Sequence, residues 1–125
     1  MRRNPEIIRN IMLAAEKCEA NQRISNQDIE CEDGQEWDVS AHIKLLEQAG
    51  FIEASISKEL NPQRPHTCYI YRITWQGYEY LDSIRDPEIW SKTKQSISKV
   101  GGSLTIDLIM AIAKQEIKNK LGIEI

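Results

Sequence analysis

The amino-acid sequence predicts an α+β protein in which helices surround a small antiparallel sheet. Apolar residues recur at helical spacing in several segments, and two further segments alternate apolar and polar residues on either side of a proline-containing loop. With 125 residues, of which 41% are hydrophobic and 28% charged, the chain is long enough to bury a core without disulfides or metal. One globular unit is therefore expected.

The overall charge argues against nonspecific binding to nucleic acid, which depends on neutralising phosphates. The chain carries a net charge of −3 at pH 7, and its sequence pI is near 5.4. A local basic face on an acidic protein stays compatible with DNA. Cys18, Cys31 and Cys68 lack the spacing of a metal site and predict free thiols. Since no secretory signal or apolar run of membrane-spanning length is found, we expect a cytoplasmic protein.

The first helix is predicted for residues 5–20. Asn4 can cap it, and Pro5 suits the first helical position because its missing N–H has no partner there in any case. An apolar stripe at helical spacing predicts one buried face, formed by Ile7, Ile8, Ile11, Met12, Ala15 and Cys18.

Residues 24–34 allow two interpretations. Ile29 and Cys31 alternate with acidic residues, which favours a short strand ending at a turn over residues 33–34. The alternative is a short helix capped by Ser25.

The second helix is predicted for residues 36–49. Gly50 ends it, because glycine readily adopts the left-handed conformation at that position. Its buried face is predicted to comprise Val39, His42, Ile43, Leu45 and Leu46. Its exposed side is predicted to carry Ser40, Ala41, Lys44, Glu47 and Gln48.

A β-hairpin and a third helix follow. Residues 51–60 and 66–74 alternate as strands, and the loop between them holds Pro62 and Pro65. Thr74 is predicted to cap a helix over residues 75–85. The apolar stripe of this helix is predicted to be Trp75, Tyr78, Leu81 and Ile84, with Trp75 and Trp90 packing the third and fourth helices together.

Two further helices are predicted at the C-terminus. The fourth begins at Asp86-Pro87 and is broken by Gly101-Gly102, and the last runs from the cap Ser103 to the stop Gly122. Between residues 104 and 113 the last helix is apolar on almost every side, so more than one side must be covered. The rest of the chain or a second copy can provide that cover, and we expect a homodimer through the C-terminal helices.

The order of elements is helix, short strand, helix, hairpin, helix, then two added helices. This order is typical of a winged helix-turn-helix domain with a two-helix C-terminal extension. We therefore predict a winged-helix domain over residues 1–85 and an extension over residues 86–125 that packs on it as one globular unit.

Particular stretches also resemble known families. SAHIKLLEQAGFIEA resembles the recognition helix and first wing strand of arsenic-repressor-like winged-helix regulators, and YRITWQGYEYLD resembles their second wing strand and following helix. The chain from residue 73 to residue 113 looks like a family of small bacterial and phage-encoded proteins that is classed as a domain of unknown function. That family shows T-W-x-G-H-E-F-L-D-x-I-R-D-x-x-x-W-x-K-T-K followed by G-G-S, and here Tyr78 stands at the histidine position. The resemblance implies a fold and no established activity.

The predicted function is DNA binding, as a small transcription regulator or a phage or prophage accessory factor. Lys44 and Gln48 lie one helical turn apart and are predicted to reach base edges or phosphates together, with Ser40 adding a phosphate contact. The end of the hairpin is predicted to contact the DNA backbone or the minor groove. Its contacting residues would be Lys58, Arg64 and His66.

The alternative is a winged-helix protein–protein interaction or dimerisation module that does not bind DNA. Glu36, Asp38 and Glu47 favour it, because they place three carboxylates on or beside a helix with one lysine. No catalytic motif is found, so an enzyme is not expected. A zinc site would need Cys31, His42, His66 and Cys68 to converge without the usual close pair of ligands, so we favour Cys68 as a buried apolar residue and His42 as a core residue. Neither a metal nor another cofactor is expected.

Overall fold

The structure is a computed structural model that describes residues 1–58, 63–100 and 105–122. Within these ranges the protein is α+β, as predicted, with five α-helices, one 3₁₀ turn and a three-stranded antiparallel sheet. The elements are α1 Pro5–Glu16, β1 Ile24–Ser25, the 3₁₀ turn Asn26–Asp28, α2 Glu36–Gln48, β2 Ile52–Ile56, β3 Cys68–Ile73, α3 Trp75–Ile84, α4 Pro87–Val100 and α5 Ile106–Leu121. The chain divides into two compact units, Met1–Tyr78 and Glu79–Ile125. The predicted division at residue 85 stays a prediction.

Helix α1 begins as the sequence predicts. Asn4 Oδ1 accepts a hydrogen bond of 2.9 Å from the Glu6 N–H, and Pro5 occupies the first helical position. The predicted stripe is buried from Ile7 to Ala15. The helix ends at Glu16, earlier than predicted, so Cys18 lies beyond it and is only half-buried.

The predicted strand within residues 24–34 is wrong beyond its first two residues. Ser25 Oγ accepts from the Gln27 N–H at 3.2 Å, and Asp28 Oδ2 accepts from the Ser25 N–H at 3.1 Å. This reciprocal capping satisfies backbone groups locally and so competes with the ladder of a strand. The alternative, a short helix capped by Ser25, is confirmed in the form of a 3₁₀ turn.

The sheet has the order β1-β3-β2, and the predicted hairpin of β2 and β3 is confirmed. Glu53 pairs with Arg72 and Ala54 pairs with Ile70, so Tyr71 is the extra residue of a β-bulge. The inner face of the sheet is buried and consists of Ile52, Cys68, Ile70 and Ile73. Pro62, one of the two prolines of the predicted loop, lies outside the described residues.

Helix α2 ends where the sequence predicts. Gly50 has φ +77°, a backbone conformation that residues with a Cβ rarely adopt. Val39, His42, Ile43 and Leu46 are buried, as expected, and Leu45 is half-buried.

The junction of α2, β2 and α3 depends on a close approach of two backbones. Thr74 caps α3 as predicted, because its Oγ1 accepts from the Gly77 N–H at 3.1 Å, and it also donates to the Gly50 carbonyl. A Cβ added at Gly77 would lie 2.1 Å from the Phe51 carbonyl oxygen. Only glycine therefore fits at this position.

The predicted stripe of α3 is wrong in its first half. Trp75 is 78% exposed and Tyr78 is 41% exposed, whereas Tyr80, Leu81 and Ile84 are fully buried. The buried stripe is thus residues 77, 80, 81 and 84, at i, i+3, i+4 and i+7, and Gly77 holds the position of closest approach. Trp75 is therefore not the buried residue that the sequence predicted, whereas Trp90 is buried.

Helices α4 and α5 pack on each other within the second unit. Asp86 caps α4 as predicted, since its Oδ1 accepts from the N–H groups of Glu88 at 2.8 Å and Ile89 at 3.2 Å. The cap of α5 is Thr105, whose Oγ1 accepts from the Leu108 N–H at 3.1 Å. Ser103, the predicted cap, lies outside the described residues. Gly122 ends α5 with φ +71°, as predicted. The predicted break at residues 101–102 lies outside the described residues.

Candidate nucleic-acid interface

The exposed side of α2 includes a stripe at helical spacing, beside the exposed residues Glu36 and Glu47. Trp37, Ala41, Lys44 and Gln48 stand at i, i+4, i+7 and i+11 and so share one face, although Ala41, predicted to be exposed, is half-buried. Lys44 and Gln48 are exposed, as predicted, and Trp37 is 49% exposed. Trp37 was not among the residues that the sequence predicted for this face, because a tryptophan is more often a core residue than an exposed one.

Two of the acidic residues of α2 have a local explanation. The residue that precedes the helix, Gln35, makes no side-chain capping hydrogen bond, and Glu36 and Asp38 lie in the first turn. Carboxylates are favourable there, because the unpaired N–H groups of a helix N-terminus carry partial positive charge. Their presence is therefore a weaker argument against DNA than the sequence suggested, and Glu47 alone remains near the far end of the exposed stripe.

Ser40 does not belong to the exposed side, so its predicted exposure is wrong. It is buried, and its Oγ donates a hydrogen bond of 3.0 Å to the His66 carbonyl oxygen. The same hydroxyl lies 3.4 Å from the Cys68 Sγ. Burial raises the pKa of the Cys68 thiol, and the bond to Ser40 and the charge of Lys44 only partly offset this. Ser40 thus joins α2 to the start of β3.

Asn26 completes this connection and was not predicted from the sequence. Its Nδ2 donates to the His66 carbonyl at 3.2 Å, and its Oδ1 accepts from the Cys68 N–H at 3.0 Å. The last backbone pair of β1 with β3 joins Ser25 to Tyr69. The side-chain amide of Asn26 therefore continues the ladder after the backbone has turned away into the 3₁₀ turn.

The base of the hairpin is held together by polar contacts. The Ser57 N–H donates to the Thr67 carbonyl at 2.9 Å, and the Thr67 N–H donates to the Ser57 Oγ at 3.2 Å. The half-buried His66 places its Nδ1 at 2.7 Å from the Ser57 carbonyl oxygen. Only Nε2 is then available for a phosphate. Lys58 and Arg64 are exposed on the two chain segments that leave this base.

The sequence of residues 2–103 matches the family described as hypothetical protein (DUF2513). The chain belongs to this family. The match covers most of the chain, including the tryptophan and lysine pattern that follows β3. The predicted relation to a domain of unknown function is thereby confirmed.

A relative of this DUF2513 protein occurs in Haemophilus influenzae (strain ATCC 51907 / DSM 11121 / KW20 / Rd), where it is named "Uncharacterized protein". The two sequences are 34% identical over 123 residues, which cover 98% of this chain and 100% of the relative. No solved structure matches the chain.

His42 of the DUF2513 chain is a core residue, as predicted. Its Nε2 accepts from the Asn4 N–H at 2.8 Å, so the ring hydrogen belongs on Nδ1, which donates to the Asp38 carbonyl at 2.6 Å. The imidazole therefore fastens the start of α1 to α2 and is not free to bind a metal. Across the described ranges, no group of three or more His, Cys, Asp or Glu residues could hold a metal ion. None of the helices described is long and apolar enough to cross a membrane.

Proposed function

We propose that this protein binds double-stranded DNA as a winged-helix protein, with α2 in the major groove and the connection between β2 and β3 as the wing. The observation that carries the proposal is the exposed stripe of α2, which presents Lys44 and Gln48 on a helix fixed to the hairpin base through Ser40. A helix that reads base edges must hold a defined orientation relative to its backbone contacts.

The topology supports this proposal. Helix α1, strand β1, helix α2, the β2–β3 hairpin and helix α3 follow one another, with β3 at the centre of the sheet. One element differs from a helix-turn-helix pair, in which a full helix precedes the recognition helix. Here the 3₁₀ turn Asn26–Asp28 takes that position. The hydrogen bonds of Asn26 and Ser40 to the hairpin base therefore support α2 instead.

Each proposed contact has a distinct role. Lys44 and Gln48 would donate hydrogen bonds to base edges or phosphates in the major groove, since a lysine commonly binds guanine and a glutamine commonly binds adenine. Lys58 and Arg64 would contact phosphates from the wing, and His66 would add Nε2 at the hairpin base. In the cell such a protein would act as a transcription regulator or as a phage or prophage accessory factor.

Titration of a fluorescently labelled random-sequence duplex, followed by anisotropy at low and at physiological salt, tests the proposal. We expect binding that weakens strongly with salt, because phosphate contacts release counterions. Absence of binding at low salt would contradict the proposal.

A second candidate function is self-association through the C-terminal helices. Leu108, Met110 and Ile112 of α5 are only half-buried, and Leu121 is 65% exposed. Apolar side chains that are partly uncovered on one helix favour a second copy as their cover. Leu108→Asp is expected to shift a dimer to the monomer mass in light scattering after size exclusion. Ile109→Asp is unsuitable for this test, because Ile109 is buried and its replacement would disturb the fold itself.

A further inference from the structure

The outer face of the sheet carries aromatic and cationic side chains that the proposed duplex contact does not use. The β-bulge at Tyr71 changes the alternation of β3, so that Tyr71 and Arg72 are both exposed while Ile70 and Ile73 are both buried. Tyr71 is 44% exposed, and Tyr69 lies two residues away, half-buried. A bulge in a strand is a usual device for redirecting a side chain.

Arg23 organises this face. Its guanidinium carbon lies 4.3 Å from the centroid of the Tyr69 ring, which is the geometry of a cation–π contact. The Ser55 hydroxyl, 3.0 Å from the Tyr71 hydroxyl, and then Arg23 hold the pKa of Tyr71 below its ordinary value. Arg72 is paired with Glu53 at 2.6 Å, whereas no described carboxylate forms an ion pair with Arg23. The positive charge of Arg23 is therefore available to an anion.

An open hollow of about 580 Å³ lies next to this cation. Residues 20–23 form its wall and Tyr71 its other side, so the lining contains the polar side chains Asn21, Gln22 and Arg23 beside one aromatic ring. An apolar partner surface docked in this hollow would bury those polar groups without hydrogen-bond partners. A ligand with a flat aromatic part and an adjoining negative charge satisfies both the ring and the cation.

We propose that Arg23, Tyr69 and Tyr71 form a binding site for single-stranded nucleic acid, in which a base stacks on Tyr71 and an adjoining phosphate contacts Arg23. A nucleotide unit supplies the required flat ring and negative charge. Bases in a duplex are stacked on one another, so their faces are not available to a side chain, whereas bases of a single strand are. This site is separate from α2 and does not depend on duplex binding.

Anisotropy titrations of labelled oligothymidine and oligouridine with the full-length protein test this site. Tyr71→Ala is expected to weaken binding about tenfold, and Arg23→Ala is expected to weaken it and reduce its salt dependence. Tyr71→Trp is expected to retain binding, because a larger ring stacks at least as well. Tyr78→Ala is the matched control, since Tyr78 is a similarly exposed tyrosine on α3.

The outcomes separate the proposal from its alternatives. A preference for oligouridine would identify RNA as the source of the single strand, and a preference for oligothymidine would identify DNA. In either case binding is expected to depend on Tyr71. The proposal is overturned if neither strand binds at low salt, or if Tyr78→Ala weakens binding as much as Tyr71→Ala. It is also overturned if Tyr71→Trp loses binding while its circular dichroism spectrum is unchanged. Binding to duplex DNA that requires Tyr71 would likewise contradict it.

Discussion

The Ser40 hydroxyl of α2 donates a hydrogen bond of 3.0 Å to the carbonyl oxygen of His66, at the base of the hairpin. Asn26 donates to the same oxygen from the 3₁₀ turn. Three segments that are distant in sequence thus meet at one backbone carbonyl. In the proposed function, this carbonyl fixes the orientation of the recognition helix relative to the wing.

Ser40→Ala and Asn26→Ala are expected to lower the free energy of unfolding by different amounts. Ser40→Ala removes one hydrogen bond, but the His66 carbonyl still accepts a hydrogen bond from Asn26, so a loss of about 1 kcal/mol is expected. Asn26→Ala also leaves the N–H of the buried Cys68 without its acceptor, so a larger loss of about 1–3 kcal/mol is expected. Urea unfolding measures both, with the exposed Asn21→Ala as the control. An unchanged stability of Ser40→Ala, together with a lower affinity for DNA, would indicate that Ser40 contacts a phosphate and does not stabilise the fold.

Gly77→Ala is expected to destabilise the protein, against the usual preference of helices. Alanine normally stabilises a helix interior by roughly 1 kcal/mol relative to glycine. Here the added Cβ would lie 2.1 Å from the Phe51 carbonyl oxygen and 2.7 Å from the Ile73 Cγ2, so the backbone of α3 must move away from Phe51, the residue before β2. A loss of about 1–3 kcal/mol is expected in urea unfolding. The neighbouring exposed Gln76→Ala serves as control, and a gain in stability for Gly77→Ala would show that the approach is looser than described.

Trp75→Ala and Trp90→Ala are expected to differ sharply in their effect on stability. Trp90 is buried, so its truncation leaves a cavity and is expected to cost about 3–5 kcal/mol. Trp75 is 78% exposed, so its truncation is expected to change the free energy of unfolding by less than about 0.5 kcal/mol. Thermal or urea unfolding compares the two variants directly. Equal losses would mean that Trp75 packs against another element after all.

The ion pairs between α4 and α5 are expected to make stability depend on pH. Lys120 Nζ lies 3.0 Å from Asp86 Oδ2 and 3.3 Å from Glu88 Oε2. The bond from Lys120 lowers the pKa of Asp86, the bonds from Lys92 and Lys120 lower the pKa of Glu88, and Asp86 raises the pKa of Lys120. A carboxyl group with a lowered pKa stabilises the folded state at pH values above its ordinary pKa, which is 3.8 for Asp86. This contribution is lost as the pH falls below that value. A raised lysine pKa contributes below its ordinary value of 10.5 and is lost as the pH rises further.

Lys120→Met tests this dependence in urea unfolding at several pH values. This variant is expected to be slightly less stable than the wild type between about pH 4.5 and 10.5, and the difference is small because the groups are exposed. In acid the two stabilities are expected to converge. Asp86→Asn is the companion variant, since its side-chain oxygen can still cap α4 after the ion pair is lost. A constant difference down to strong acid would show that these carboxylates do not depend on Lys120.

Much of the fold was predictable because its signals are local. Asn4, Gly50 and Thr74 mark helix ends through bonds or backbone angles that need only neighbouring residues, and the structure confirms all three. The hairpin was predictable for the same reason, since alternation along a strand depends on the strand alone.

The predictions fail where the burial of a side chain depends on residues that are distant in sequence. Ser40 was predicted to be exposed because serine is polar, but the carbonyl of His66 lies within its reach, and no local pattern contains that fact. On α3 the spacing of large apolar residues favoured Trp75, whereas the close approach at Gly77 turns a different side of the helix inward. The sequence did contain a sign of the β-bulge, because Arg72 interrupts the alternation of apolar residues in β3.

The proposed contact of the exposed α2 stripe with duplex DNA is tested most directly by comparing two lysine variants. The salt dependence of duplex binding is measured by anisotropy for the wild type, for Lys44→Ala and for Lys114→Ala, an exposed lysine of α5. Lys44→Ala is expected to weaken binding and to reduce the slope of log affinity against log salt by about one, with Lys114→Ala unchanged. Equal behaviour of the wild type and Lys44→Ala would contradict the claim and leave α2 as a scaffold helix.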